Sequence, residues 1–371
     1  MTGVQTCALP ISEKTESTPE PETEEVKHVT VAEAQQEKPV KAETSPSAAQ
    51  SSNELSEVQL RYANAYLHLL DEKTRSGAYR VIEKLEKDLP EAGITLGQYY
   101  QTYDKEKAKE HFKIAADAGI AEGKWGYACL IPHSYIPDPN KSADAEWEKY
   151  CLEAAEQEHP DAAHEMGNIC HRRGAIAEAA YWYGIAFFSG QTEADISLDG
   201  IVNEWIEKGK PTNYIAGTKN HTEKRHKAAI AFLKLNVGDI EPEEAKWSFD
   251  SNPDKLLGYY LGNEFAYAQK DYETSFDIYS KLIKQDSPYA LLRYGNHMAQ
   301  GRGTAKDSDG SNAYKLKAAK LGCVPAMLSM GSNAADKKDY LAAAYWYALG
   351  YNRGNKMSGE KLQEMAEKNL E

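Results

Sequence analysis

The 371-residue chain is poor in most residue patterns that signal catalysis or metal binding. It has five cysteines, none arranged as C-x-x-C, and ten histidines with no H-E-x-x-H. The usual zinc-site spacings are therefore missing. Neither the G-x-S-x-G of a nucleophile elbow nor a phosphate-cradling glycine loop occurs, which removes two common hydrolase and nucleotide-binding classes. Apolar runs are short: a stretch such as Ala179 to Phe188 is about half the ~20 residues that a membrane-spanning helix needs, so the chain as given inserts no helix into a membrane. Positive charge is also scarce. Lys plus Arg number 43 against 57 Asp plus Glu, a net charge of −14, which argues against nucleic acid or an anionic membrane as the main partner.

Aromatic residues are missing from the first 61 positions and begin at Tyr62. Residues 1–11, MTGVQTCALPI, lack the basic start and apolar core of a signal peptide. They back-translate onto a common short-read sequencing adapter with GTG read as the start codon. The expectation is that this stretch is an artefact, that Cys7 leaves the cysteine count, and that a natural beginning, with any export signal or membrane tether, lies upstream. Bacterial cytoplasm and envelope both stay open. Residues 12–55, rich in Glu, Thr, Ser, Pro and Lys, bury too little apolar area to offset their ordering entropy and are expected to form a disordered acidic linker.

From residue 56 to 371 the chain repeats itself. Segments such as MGNICHRRGAIAEAAYWYGIAFFSG and MGSNAADKKDYLAAAYWYALG carry a large residue and Gly, a polar turn, then small residues and an aromatic. Gly97, Gly126, Gly167, Gly262, Gly295 and Gly331 anchor this register. A mid-helix glycine costs about 1 kcal/mol relative to alanine, so its recurrence implies that another helix approaches the backbone there. Paired alanines such as Ala115 and Ala116, Ala179 and Ala180, and Ala318 and Ala319 supply matching small surfaces, and Trp147, Trp182 and Trp346 fill the space between repeats. One helix pair cannot bury its apolar face alone, so the pairs must stack. The fold class expected is all-α, a solenoid of about seven or eight helix-turn-helix repeats. Residues 192–254 fit the register poorly and are expected to hold divergent repeats, with helices near 201–208, 222–236 and 242–249. Residues 356–370 should form a charged capping helix.

The segment from Tyr294 to Ala326, with Y-G, G-R-G at 301–303, Asp307, Asn312-Ala313, Ala318-Ala319 and Gly322, resembles the Sel-like repeat (SLR) family, a relative of the tetratricopeptide repeats. Residues 146–162 are similar to the family's second helix and exit turn, with Glu158 where glycine is usual. The resemblance covers most of residues 96–351. It implies a right-handed α/α superhelix whose first helices face a concave groove, a non-catalytic scaffold that binds a protein or peptide, and no cofactor. It also implies that the residue after each helix glycine faces the groove: Gln98, Tyr127, Asn168, Asn263, Asn296 and Ser332. Asn is a poor mid-helix residue, so its threefold occurrence at this register needs a cause. The amides either clamp an extended peptide, helped by His171, Arg172, Tyr267 and Gln300 one turn on, or bond between neighbouring helices.

Other chemistry is thin. His164 and His171 lie about 10.5 Å apart along one helix, too far to share an ion. Asp307 to Ser311 is expected to cap the helix that follows it. Cys151 and Cys170 could face each other across neighbouring helices as a disulfide or stay as buried thiols. Ser358 and Lys361 form an S-x-x-K with neither S-D-N nor K-T-G; because some cysteine-rich SLR proteins are linked to β-lactam hydrolysis, a hydrolase is one alternative. A regulatory domain of a longer protein is the other.

Overall fold

The computed structural model describes residues 55–218 and 221–370. The adapter-like start and nearly all of the acidic linker lie outside the described residues. Helices account for the architecture: α1 (Glu57–Leu69), α2 (Arg75–Leu85), α3 (Ala92–Tyr100), α4 (Lys105–Asp117), α5 (Ala121–Ala128), α6 (Ser142–Glu156), α7 (Pro160–Arg172), α8 (Ile176–Ser189) and α9 (Ala194–Glu207). They continue with α10 (Glu223–Asn236), α11 (Pro242–Ser251), α12 (Lys255–Asn263), α13 (Tyr272–Leu282), α14 (Pro288–Gln300), α15 (Ser308–Lys320), α16 (Val324–Asp336), α17 (Tyr340–Asn352) and α18 (Lys356–Leu370). No strand occurs among the described residues.

Local signals set the helix ends. Ser56 and Gln59 form a reciprocal capping box on α1, and the side chains of Asp104, Asp271, Ser287, Asp307 and Asp339 cap their helices, each satisfying a first-turn N–H. Proline opens α7, α11 and α14, where its missing N–H removes no helical bond. Glu158 adopts the left-handed conformation, φ 63°, in the turn where the family pattern has glycine. Bonds to its carboxylate accompany that strain: Lys255 Nζ lies 2.8 Å away and the Tyr289 N–H donates to it at 3.3 Å.

Consecutive helices pair as the register predicts, α3 with α4, α7 with α8, α14 with α15 and α16 with α17. Between residues 192 and 254 the pattern changes. Both α9 and α10 pack on α8, and α10 goes on to α12, so α9 is a helix inserted beside the stack and α10 with α11 continues it. The Leu256 side chain fills the space above Gly184 of α8, which is how α12 reaches back past the insertion.

The ends differ from the polar caps expected of an open array. Helix α1 packs on α17 and touches α18. Tyr62 and Tyr66 are buried there beside Tyr345, and one hydrophobic cluster joins residues from Tyr62 to Leu96 with residues from Leu291 to Met365. The stack closes on itself where α1, already packed on α2, buries Tyr62 and Tyr66 against α17 as well.

Candidate functional site

The repeat register has a specific physical content. Gly167, Gly262 and Gly331 lie against the rings of Tyr183, Tyr279 and Tyr347 on the partner helix; a Cβ at any of the three would come within 2.4 to 2.6 Å of ring carbon. The next residue then receives that tyrosine's hydroxyl, fifteen or sixteen positions on. Tyr183 donates to Asn168 Oδ1 at 2.8 Å, Tyr279 to Asn263 Oδ1 at 2.9 Å, and Ser332 meets the Tyr347 hydroxyl at 3.3 Å. Glycine makes room for the ring and the following polar residue takes its hydroxyl.

This pairing decides which groove candidates stand free. Asn168 spends its amide on Glu165, which also receives Arg172, and His171 turns to Glu204 of α9 at 2.6 Å. Asn263 is buried and exchanges bonds with Tyr289 as well. Tyr127 donates to Glu146, and Gln98 donates to the Asn352 carbonyl at 2.6 Å. Near Gly295 the register position of the second helix holds Ser311, whose backbone carbonyl is the nearest atom, with only the Cβ of Tyr314 alongside, and the half-buried Asn296 amide has no hydrogen-bond partner among the described residues.

Asn296 shares a stripe of α14 with Arg293 and Gln300, at the i, i+3, i+7 spacing of one helix face. The structure brings Tyr267, Asn296 and Gln300 together around a notch of about 60 Å³. Tyr267 gets there by way of a π turn, Glu264–Ala268, that extends α12; such widened turns re-aim the residues that follow them and recur at functional sites. The Tyr267 side chain is 53% exposed. Arg293 Nη1 donates to its hydroxyl at 2.9 Å, and the guanidinium lies 4.8 Å from the Tyr289 ring centroid and 5.7 Å from that of Tyr267. Across the notch Arg302 stands over Tyr272 at 5.0 Å. His297 forms part of the floor, bonded to Ser275 Oγ and the Arg302 carbonyl, and burial holds its pKa below the usual histidine range. Arg293 and Asn296 also border a larger cavity of about 420 Å³ with Phe188, Leu292, Val324 and Pro325 in its wall.

Sequence reasoning passed over Arg293, Tyr289 and Arg302. The signal for Arg293 was present, since it lies three residues before Asn296 on the same face; Tyr289 and Arg302 come together with it only through the tertiary fold.

The remaining candidates do not assemble chemistry. Ser358 is fully buried, not exposed as its place in a terminal helix suggests, because it packs beneath Gly350. Its hydroxyl bonds Asn355, and Lys361 pairs with Glu364, so the S-x-x-K residues do not meet. His159, His164 and His171 bond Glu122, Ser197 and Glu204 respectively, and no group of three potential metal ligands occurs among the described residues. Cys151 and Cys170 are free thiols; burial pushes both pKa values well up, which leaves them unreactive. Among the described residues no helix is long and apolar enough to cross a membrane.

Fold and site together define an all-α helical-repeat protein whose register is Gly, a polar residue and a tyrosine from the next helix. Solved structures similar to the chain include a protective antigen present in uropathogenic Escherichia coli strains that displays an SLR fold, with TM-score 0.33 and 16% identity over 84% of this chain and 64% of that one. Another is a Sel1 repeat protein from Oxalobacter formigenes, with TM-score 0.32 and 17% identity over 81% of this chain and 83% of that one. The chain thus spans about 64% of the antigen's length. No protein-family model and no curated relative matches it.

Proposed function

We propose that the protein is a non-catalytic interaction module that captures a protein or peptide partner through the face formed by the α12 π turn and α14. The observation that carries this reading is the Asn296 amide. It is the post-glycine asparagine whose tyrosine partner is missing, and it stands beside the exposed Tyr267 and Gln300 next to a cavity roomy enough for a side chain. An amide in such a place can pair with the backbone of an extended chain without loss of an internal bond, whereas Asn168 and Asn263 cannot. Aromatic and arginine side chains at a partly apolar recess are the usual anchors of protein recognition.

The test is selection of peptides from a displayed library on the full chain, followed by titration of the winners. Asn296→Ala and Tyr267→Ala are expected to weaken binding at least tenfold with an unchanged thermal midpoint. Asn168→Ala is expected to lower the midpoint and leave affinity alone. Equal affinity in the wild type, Asn296→Ala and Tyr267→Ala, or no selectable peptide at all, would overturn the reading.

A further inference from the structure

We propose that the notch between Arg293 and Arg302 binds a carboxylate of the partner, carried next to an apolar group that enters the adjoining cavity. The inference rests on the partner-binding reading of this face and adds the chemistry of what is bound.

Charge comes first. The lining of the notch contains two guanidinium groups, the half-buried Arg293 and the exposed Arg302, and no acid; neither arginine has an ion pair among the described residues, whereas the half-buried Arg173 pairs with Glu148 and Arg225 with Glu156. Glu158 lies in the wall of the larger cavity but is engaged by Lys255. A guanidinium drawn into the protein without a counter-charge is unfavourable. The rings of Tyr267 and Tyr289 offset part of that through cation–π attraction, yet they leave a directed donor unused: Arg293 Nε is buried with no acceptor. The guanidinium fork matches a carboxylate in plane and spacing, and the Asn296 amide stands one turn along the same face. Size is compatible, since about 60 Å³ is room enough for a carboxylate, while the 420 Å³ cavity that shares Arg293 and Asn296 offers Phe188, Leu292, Val324 and Pro325 in a wall of mixed polarity. In a protein of net charge −14, an acid-free pocket with two arginines runs against the average and discriminates for a negative group.

A carboxylate beside an apolar group is found at a peptide C-terminus and at an internal Glu or Asp. The experiment follows the Arg293 Nε–Hε resonance of the full chain during titration with N-acetyl-leucine, with N-acetyl-leucinamide and with N-acetyl-glutamic acid α-amide, the signal being assigned through Arg293→Lys. N-acetyl-leucine is expected to saturate the shift at a concentration at least tenfold below the amide. Arg302→Gln, a substitution at an exposed side chain, is expected to erase that difference, and added salt to weaken it. A terminal source is assigned if the glutamyl probe binds like the leucinamide, and a side-chain source if it binds like the free acid. Equal behaviour of leucine acid and amide, or no movement with any probe, overturns the proposal. Peptide selection that fails while the acid still titrates removes the partner reading and keeps the notch; selected peptides whose binding ignores their carboxylates do the reverse.

Discussion

At the scale of single residues, five of the six repeated glycines are explained by the ring that each one faces, Phe112 for Gly97 and Gly126 and a tyrosine for Gly167, Gly262 and Gly331. Gly167→Ala would drive a methyl group to within 2.4 Å of the Tyr183 ring. Overpacking of this kind destabilises by ~1–3 kcal/mol, more than the ~1 kcal/mol gained in helix propensity. Tyr183→Phe removes only the hydroxyl that serves Asn168 and should cost about 1 kcal/mol. Denaturant titration of both variants checks the order, and a Gly167→Ala protein as stable as the wild type would contradict it. The glycine register was readable from the sequence because period and spacing are linear properties. Which asparagine stays free was not, because that depends on whether Tyr183, Tyr279 or Ser311 lies opposite.

A second residue-scale device sits beneath the segment that leads into α10. Glu178 is fully buried and accepts from Thr218, while His221, also buried, has neither ring nitrogen hydrogen-bonded and lies 3.5 Å from Glu178. Burial, then the nearby His226 and Arg225, holds the His221 pKa down to about 4 from 6.5. The unfolded chain therefore binds a proton that the folded one refuses. The stability His221 contributes is complete above pH 6.5 and is lost as pH falls from 6.5 through 4, at about 1 kcal/mol per pH unit. Burial raises the pKa of Glu178, so its own contribution runs the opposite way, and substitution at His221 is needed to separate the two. Thermal midpoints between pH 7 and 5 should fall less steeply for His221→Leu than for the wild type; parallel lines would rule the histidine out.

At the scale of elements, the helix pairs follow from amphipathic period, alanine surfaces and capping residues, all of which are visible in one dimension. Asp307, expected as a cap, receives the Gly310 N–H at 2.9 Å. The π turn at Glu264–Ala268 leaves no comparable trace, since its widened ladder answers to packing rather than to residue type. It supplies Tyr267 to the candidate site, and α14 supplies Arg293, Asn296 and Gln300 from its middle and end. At the start of α14 Ser287 caps the Ala290 N–H at 3.0 Å and also meets the buried Tyr259 hydroxyl. Ser287→Ala removes the cap and leaves that hydroxyl without its serine partner, for which about 1–3 kcal/mol is expected. The loss should appear as a lowered melting midpoint with faster amide exchange in the first turn of α14, next to Tyr289 and Arg293. A uniform change in exchange across all helices would mean that the cap has no local role.

At the scale of the whole molecule, the closed stack is the feature furthest from the sequence. Its contacts join residues nearly three hundred positions apart, where no periodicity operates. Asn352, buried at the end of α17, accepts the Tyr66 hydroxyl at 2.7 Å and donates to Tyr62 and Thr95 at 3.1 and 3.0 Å, while its carbonyl receives Gln98. One amide thereby ties the last pair to the first two. In an open array each repeat is held only by its neighbours and the ends fray; here the ends are held by each other. Asn352→Ala would leave the buried Tyr66 hydroxyl without its acceptor, at about 1–3 kcal/mol, and would remove the donor shared by Tyr62 and Thr95, which still bond each other at 2.8 Å; the loss should fall on the closure rather than on any helix pair. The expected result is a folded protein with nearly unchanged helical content whose α1 and α2 amides exchange many-fold faster, and whose thermal transition splits where the wild type shows one. A variant that unfolds in a single transition with uniformly reduced protection would show instead that the ring is one cooperative unit and that Asn352 supports all of it.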